Sequence, residues 1–514
     1  MFPTISGGSG FTVALADEPA THRLMMDVAA LIEPGDLITL SGDLGAGKTT
    51  FARALIRHLA GNDTIEVPSP SFTLMQTYEL PGMTVVHGDL YRLSSAAELA
   101  ELGFDDAPES ALVLLEWPDR AAGLLPPDRL DIAFTLSPQH GLSFRNARVT
   151  GYGRMADRAE RIAALRRFLD ASGFAEAARR RIQGDASTRS YERLRLDGKS
   201  FILMNSPPRA DGPPIRDGKS YSAIAHLAEN VTPFVAMARG LRERGLSAPA
   251  VLQADRDNGM LILEDLGNAP VVEGDPPAPI EERYEAAADV LAKLHSAPLP
   301  ETLPIAPGAD YRLPRYDMDA LLTEAELLLD WYLPLFGGGI APAAREGYRA
   351  LWRSALRPAL DGEQVWVLRD FHSPNLIWLP ERSGIARVGL IDFQDAVMGH
   401  PAYDLASLLQ DARVDVPEMM EIALLSRYTR ARLAADENFD AAGFVRVYST
   451  LAAQRASKIL GIFARLERRD GKPQYLRHLP RVRAYLQRAL THPALAALNA
   501  WYIANVLALR TADQ

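Results

Sequence analysis

The spacing of hydrophobic positions changes along the chain. Over roughly the first 150 residues, short apolar runs alternate with segments of helical period. Leu37–Ser41, Thr84–His87 and Leu112–Glu116 have strand length, whereas Lys48–Leu59 carries its apolar residues on one helical face. A last strand and a Gly-Tyr-Gly break fall within Gly141–Gly153. This alternation predicts an α/β domain with a mostly parallel sheet over residues 1–153.

The pattern then shifts twice. Arg154–Arg181 holds eight arginines against four acids, with Leu165, Phe168 and Leu169 sharing a helical face, and reads as a solvated, basic amphipathic helix over residues 154–181 that opens a new domain. Tyr191–Leu196 and Phe201–Asn205 are strand-like and flank Asp197-Gly198, a hairpin signal. Proline-rich connectors follow at Ser206–Pro214 and Gly274–Ile280. Beyond these the pattern is mainly helical, at Tyr284–His295, Asp319–Leu333, Ala402–Gln410 and Val445–Leu466. A small β-containing lobe at 182–270 and a helical lobe at 271–514 are expected.

Composition narrows the function classes. The 514 residues are 47% hydrophobic and 23% charged, the balance of a folded chain. A net charge of -10 argues against a broad basic nucleic-acid surface. With no cysteine, disulfides, thiolate metal sites and cysteine nucleophiles are all excluded. Met1–Phe11 lacks a charged start and a long apolar core, and no run of about 18 apolar residues occurs. No signal peptide, no membrane association and a cytoplasmic location are therefore expected.

Candidate chemistry begins at Gly42-Asp43-Leu44-Gly45-Ala46-Gly47-Lys48-Thr49, which satisfies G-x-x-x-x-G-K-[ST] between a strand and a helix. The backbone N–H groups of the loop, Gly45, Ala46 and Gly47 among them, suit phosphates, and the helix N-terminus favours negative charge. Lys48 is expected to reach the β- and γ-phosphates, and the Thr49 hydroxyl to ligate Mg²⁺. The further carboxylate such a site needs has two candidates, Asp89 and Glu116, each directly after an apolar run.

GDLGAGKTT at Gly42–Thr50, VPSPSFTL at Val67–Leu74, HGDLYRL at His87–Leu93 and LEWPD at Leu115–Asp119 together resemble the TsaE family, over roughly residues 11–153. The resemblance implies a small ATPase of bacterial tRNA threonylcarbamoyladenosine synthesis that works with a TsaD–TsaB complex. Direct tRNA contact is not required. It further implies that Glu116 is the metal-linked acid, Asp89 a second functional carboxylate, and Thr50 part of the phosphate loop. Trp117 would lie beside the nucleotide, Thr21 near the adenine and Arg145, with Arg148 as competitor, in the nucleotide pocket. Ser71 and Asp119 depart conservatively from the family pattern.

A second constellation lies in Val367–Asn375, where Asp370 precedes Asn375 by the spacing of a kinase catalytic loop. Asp370 is expected to accept the proton of a substrate hydroxyl and Asn375 to bind a metal. Val388–Ile391 leads into Asp392-Phe393, the place of a second metal aspartate. Leu368 replaces the histidine of the usual loop, and Gln394 the glycine after Asp-Phe. Gly184–Ser190 would be the phosphate-covering turn, with Gly184 and Ser187 approaching the nucleotide. The next strand, Phe201–Asn205, has no lysine, so Arg189 or alternatively Lys199 would supply the charge. Leu261–Leu266, including Glu264 and Asp265, would form the hinge facing adenine.

GDASTRSY, ILMNSPP, LEDLG, RDFHSPNL, IDFQDAVMGHPAYDLASLLQDAR and QRASKILGIFARLERRDGKPQYL resemble the AmgK-type branch of the aminoglycoside-phosphotransferase-like kinases, over roughly residues 158–505. The resemblance implies a protein-kinase-like α+β fold. It also implies ATP-dependent phosphorylation of N-acetylmuramate and N-acetylglucosamine at the anomeric hydroxyl, in cell-wall recycling. Met204 at the lysine position is usual for that branch. Gln454, Arg455 and Lys458 share a helical face, which suits either a muramate carboxylate or solvent. The rival expectations for this half are another acceptor, such as an aminoglycoside or amino alcohol, and a nucleotide-dependent interaction module without turnover.

Overall fold

The structure is a computed structural model that describes residues 8–93, 110–121, 124–141, 143–182, 189–208 and 212–506. It forms two compact units, Met1–Asn205 and Ser206–Gln514.

The first unit begins with β1 (Ser9–Leu15), α1 (Glu18–Ala29), β2 (Leu37–Ser41), α2 (Lys48–Ala60), β3 (Met75–Leu80), β4 (Met83–Asp89), β5 (Leu112–Glu116), β6 (Arg129–Leu136) and β7 (Arg145–Tyr152). These strands make one sheet in the order β1-β7-β6-β2-β5-β4-β3. The central four, β6-β2-β5-β4, are parallel, and antiparallel pairs flank them on both sides. β2 is apolar on both faces because both are covered, and it ends where the phosphate loop begins. Ile38, Leu40, Phe51, Leu55, Leu24 and Val28 build the core under α1 and α2.

The segment expected to be an amphipathic helix opening a new domain is α3 (Met155–Ala171), and its inner face belongs to the core of the first domain. Met155, Ala159 and Ile162 complete the same core as β2 and α2. Two of its arginines pair with distant carboxylates: Arg158 with Asp36 and Glu33, and Arg166 with Asp27. Arg179–Arg181 lie outside the helix, on β8 (Ala178–Ile182). β8 pairs antiparallel with β9 (Ser190–Leu196), and β9 with β10 (Lys199–Asn205). The β9–β10 loop is Asp197-Gly198 with both φ positive (50° and 74°), the twist-matched two-residue turn that the dipeptide signals.

The second unit contains α4 (Thr232–Glu243), the antiparallel pair β11 (Val251–Asp255) and β12 (Met260–Glu264), α5 (Glu281–His295), α6 (Met318–Leu327) and α7 (Pro342–Asp361). Two short antiparallel ladders follow, one nested within the other. β13 (Val365–Val367) pairs with β16 (Val397–Gly399), and between them β14 (Leu376–Trp378) pairs with β15 (Val388–Leu390). This nesting brings the β13–β14 and β15–β16 loops together, and Asn375 O accepts from Ile391 N–H at 3.1 Å. α8 (Ala402–Leu409), α9 (Glu418–Ala435) and α10 (Ala441–Asp470) come next. The helix expected over Asp319–Leu333 is α-helical only to Leu327 and continues as a π turn over Leu328–Tyr332. α10 packs on both, and Gly461 lets the backbones meet, since a Cβ there would strike the Leu327 backbone.

Candidate active sites

The phosphate loop joins β2 to α2 through glycines whose backbone excludes other residues. Gly42 has φ of 131°, and a Cβ there would strike the Phe134 carbonyl oxygen. Gly45 and Gly47 also have positive φ, and Ala46 is fully buried between them. Lys48 is buried, donates to Gly42 O (2.7 Å) and Asp43 O (2.9 Å), and stands 3.7 Å from the Trp117 ring centre. Burial pulls its pKa down, while Glu116, Asp89 and Asp43 oppose that fall.

Thr49 Oγ1 donates to Glu116 Oε2 at 2.8 Å, and Glu116 Oε1 lies 3.0 Å from His87 Nε2. Asp89 stands beside Glu116 in the parallel β4–β5 register, accepting from Ser69 Oγ (2.7 Å) and Tyr91 N–H (3.0 Å). The site thus gathers both candidate carboxylates, each with a partner that sequence reading did not single out. His87 and Ser69 lie inside HGDLYRL and VPSPSFTL, but nothing in either motif separates an acid's support from a core residue. Thr50 is half-buried in the first turn of α2. Arg145 reaches the loop, donating to Ala46 O at 3.3 Å, whereas Arg148 is exposed. Thr21 is buried on α1, its hydroxyl donating to Asp17 O at 3.3 Å.

In the second unit the nested ladders bring Asp370, Asn375 and Asp392 together. Asn375 Nδ2 donates to Asp370 O at 3.0 Å and lies 3.5 Å from Asp392 Oδ2, and Gln394 Nε2 donates to Asp392 Oδ1 at 2.8 Å. Asp404, at the start of α8, accepts from the backbone N–H groups of Leu368 (2.6 Å) and Arg369 (2.8 Å). Asp411 holds Ser373 through its hydroxyl (2.6 Å) and N–H (2.9 Å). Burial pushes the Asp370 pKa up, but His372, Lys458, Arg369 and Arg455 outweigh it and hold the carboxyl below its ordinary range. Arg369 and Asp392 have φ of 68° and 60°, and Trp117 of the first site has 56°; backbone strain therefore adjoins the chemistry in both units.

The other expected nucleotide contacts fall unevenly. Gly184 and Ser187 lie outside the described residues. Arg189 is half-buried directly before β9, Lys199 is exposed, and Met204 is buried on β10 opposite Tyr191. Glu264 ends β12 with its carboxylate on Arg242 (3.0 Å) and Arg382 (2.7 Å), and Asp265 accepts from Gly267 N–H at 2.9 Å. Of the three polar residues on α10, Lys458 pairs with buried Glu324 at 2.9 Å, Arg455 donates to Gln410 O at 3.1 Å and Gln454 to Leu321 O at 3.0 Å, so none presents a solvated face.

The family model described as "Threonylcarbamoyl adenosine biosynthesis protein TsaE" matches residues 15–143, and "Phosphotransferase enzyme family" matches residues 178–440. An "N-acetylmuramate/N-acetylglucosamine kinase" of Caulobacter vibrioides is 43% identical over 67% of this chain and 96% of its own length. A protein of that name from Pseudomonas aeruginosa is 32% identical over 61% of this chain and 85% of its own. A "tRNA threonylcarbamoyladenosine biosynthesis protein TsaE" of Rickettsia felis is 42% identical over 23% of this chain and 68% of its own. The chain belongs to both families. As a TsaE–phosphotransferase fusion it is an enzyme, with an ATPase-family part and a kinase-family part. Both families use ATP. Among the described residues no helix is long and apolar enough to cross a membrane.

Proposed function

We propose that the kinase-family part of the chain, matched at residues 178–440, transfers the γ-phosphoryl group of ATP to the anomeric hydroxyl of N-acetylmuramate or N-acetylglucosamine. The P-loop half hydrolyses ATP in support of tRNA N6-threonylcarbamoyladenosine formation, in the cytoplasm and with a TsaD–TsaB-like protein partner. The family matches at 15–143 and 178–440 support two modules, and α3 between them packs into the core of the first. The observation that carries the kinase reading is the convergence of Asp370, Asn375 and Asp392, in a chain 43% identical to a named N-acetylmuramate/N-acetylglucosamine kinase.

The donor sets fit Mg²⁺. Each offers hard oxygen ligands, the Thr49 hydroxyl with the Glu116 carboxylate 2.8 Å away and the Asn375 amide near Asp392. Bound there, Mg²⁺ supplies positive charge to the β- and γ-phosphate oxygens. The ionised Asp370 carboxylate accepts the proton of the anomeric hydroxyl. The sugar oxygen bonds to the γ-phosphorus as the bond from that phosphorus to the β–γ bridging oxygen breaks, giving a sugar 1-phosphate and ADP. Catalysis of this kind is positioning and charge stabilisation.

The test is a phosphorus NMR product assay with the purified chain, MgATP and N-acetylmuramate, N-acetylglucosamine, glucose or kanamycin. An anomeric phosphate on the N-acetyl sugars supports the reading, and a phosphate elsewhere or on kanamycin sinks it. A second reading, nucleotide binding without turnover in the kinase half, has as its support the strand Phe201–Asn205 with no phosphate-binding lysine. Tight MgATP binding with no product from any sugar would select it.

A further inference from the structure

Behind the catalytic loop lies a charge cluster centred on an acid that none of the motifs includes. Glu324 is on α6 and fully buried. Its Oε1 pairs with Arg369 Nη2 and lies 2.9 Å from Lys458 Nζ. Its Oε2 accepts from the Tyr316 hydroxyl and stands 3.3 Å from Gln454 Nε2. One carboxylate therefore gathers donors from the segment before α6, from the catalytic loop and from α10. Burial pushes its pKa up, but Lys458 and Arg369 outweigh burial and hold it below the ordinary range.

Arg369 directly precedes Asp370 and has a left-handed backbone, which a non-glycine residue keeps only when its surroundings over-determine it. Asp404 takes its backbone N–H. The guanidinium is fixed separately, by Glu324 and by donating to Ala225 O at 2.7 Å, with Tyr316 ring atoms beneath it (4.9 Å to the ring centre). Backbone and side chain of one strained residue are thus anchored by two different buried carboxylates. Arg369 brings a buried cation and Lys458 a half-buried one, and Glu324 is the carboxylate in direct contact with both.

We propose that Glu324 is a positioning residue for phosphoryl transfer: its carboxylate fixes the Arg369 side chain, and through that residue's backbone it sets the direction of the Asp370 carboxylate. The inference rests on the kinase reading above. Phosphorylation-controlled kinases order their loops by bringing a phosphate to an arginine. Here the negative charge is part of α6, so the loop is held without modification.

The test uses the full chain with Glu324→Gln, which keeps shape and hydrogen bonding but removes the charge, and with Glu324→Gln combined with Lys458→Met, which also removes the surplus cation. Misaiming a reacting group costs on the order of 100-fold in rate, so Glu324→Gln should lower kcat for amino-sugar phosphorylation by about 30- to 100-fold. KM for sugar and ATP should stay within about threefold, because binding groups are untouched. Amide hydrogen exchange over residues 366–376 should quicken about tenfold, and the double variant should recover about tenfold in kcat and slow the exchange again. A parental kcat in Glu324→Gln, a loss carried by KM alone, or a double variant no better than the single one overturns the proposal. If the parental chain phosphorylates no amino sugar, the kinase reading falls while exchange still decides this one. Faster exchange restored by Lys458→Met upholds the positioning role, and unchanged exchange overturns it.

Discussion

Arg179 and Asp27 form a buried ion pair across 152 residues of sequence, tying β8 to the first helix of the P-loop fold. Arg179 also meets Glu192 on β9 at 2.6 Å, and Asp27 also meets Arg166 on α3 at 3.0 Å. Burial favours the neutral guanidinium, but Glu192 and Asp27 outweigh it and keep it charged. The strands on either side of the expected kinase phosphate turn are therefore fixed to the P-loop domain by a network of four charged side chains.

Removing one member of such a network leaves uncompensated buried charge. Arg179→Met should destabilise the first unit by about 3–5 kcal/mol, read from urea unfolding. Replacing Arg179, Asp27 and Glu192 together by apolar residues of similar size should recover most of that loss. A cost under about 1 kcal/mol for Arg179→Met would show that the network contributes little.

The core extends past the P-loop family match, which ends at residue 143. Met155, Ala159 and Ile162 of α3 are fully buried in it. A fragment ending at residue 153 should expose that face and aggregate, whereas a fragment ending at 205 should stay monodisperse by size-exclusion chromatography. Equal behaviour of the two would contradict the role of α3.

His400 gives the second unit a pH dependence of known sign. Its Nδ1 accepts from the Ala402 N–H at 3.2 Å, capping α8, which only the unprotonated nitrogen can do. Burial, and then the nearby Arg432, lowers its pKa to about 4. A depressed imidazole pKa means that the unfolded chain takes up the proton first. Stability is therefore held above about pH 6.5 and lost as pH falls toward about 4. From pH 7 to pH 5 the loss attributable to His400 should be about 2 kcal/mol, and His400→Gln should flatten it. A pH slope unchanged by His400→Gln would contradict this assignment.

Legibility in the sequence followed the range of the interactions. The strand–loop–helix around Gly42–Thr49 was readable because its parts are contiguous, and the strand ends at Asp89 and Glu116 because apolar runs point to them. The Asp197-Gly198 turn was readable for the same local reason. The α3 arginines were not, since their partners Asp27 and Asp36 lie more than a hundred residues away and periodicity cannot tell a solvated arginine from one paired at that distance. Glu324 was missed likewise: an acid within an apolar helical run carries no sign that two cations and a tyrosine converge on it.

The central claim is that one chain holds two separate ATP-using sites, and paired measurements on two variants test it most directly. Sugar 1-phosphate formation and ATP-dependent support of tRNA threonylcarbamoylation, with the partner complex added, would be followed in Lys48→Ala and Asp370→Ala. Lys48→Ala should lose the tRNA-linked activity and keep sugar phosphorylation near the parental rate. Asp370→Ala should do the reverse, with a loss of at least about 100-fold in sugar phosphorylation. If either substitution abolished both activities in a folded chain, the account of two independent sites would be wrong.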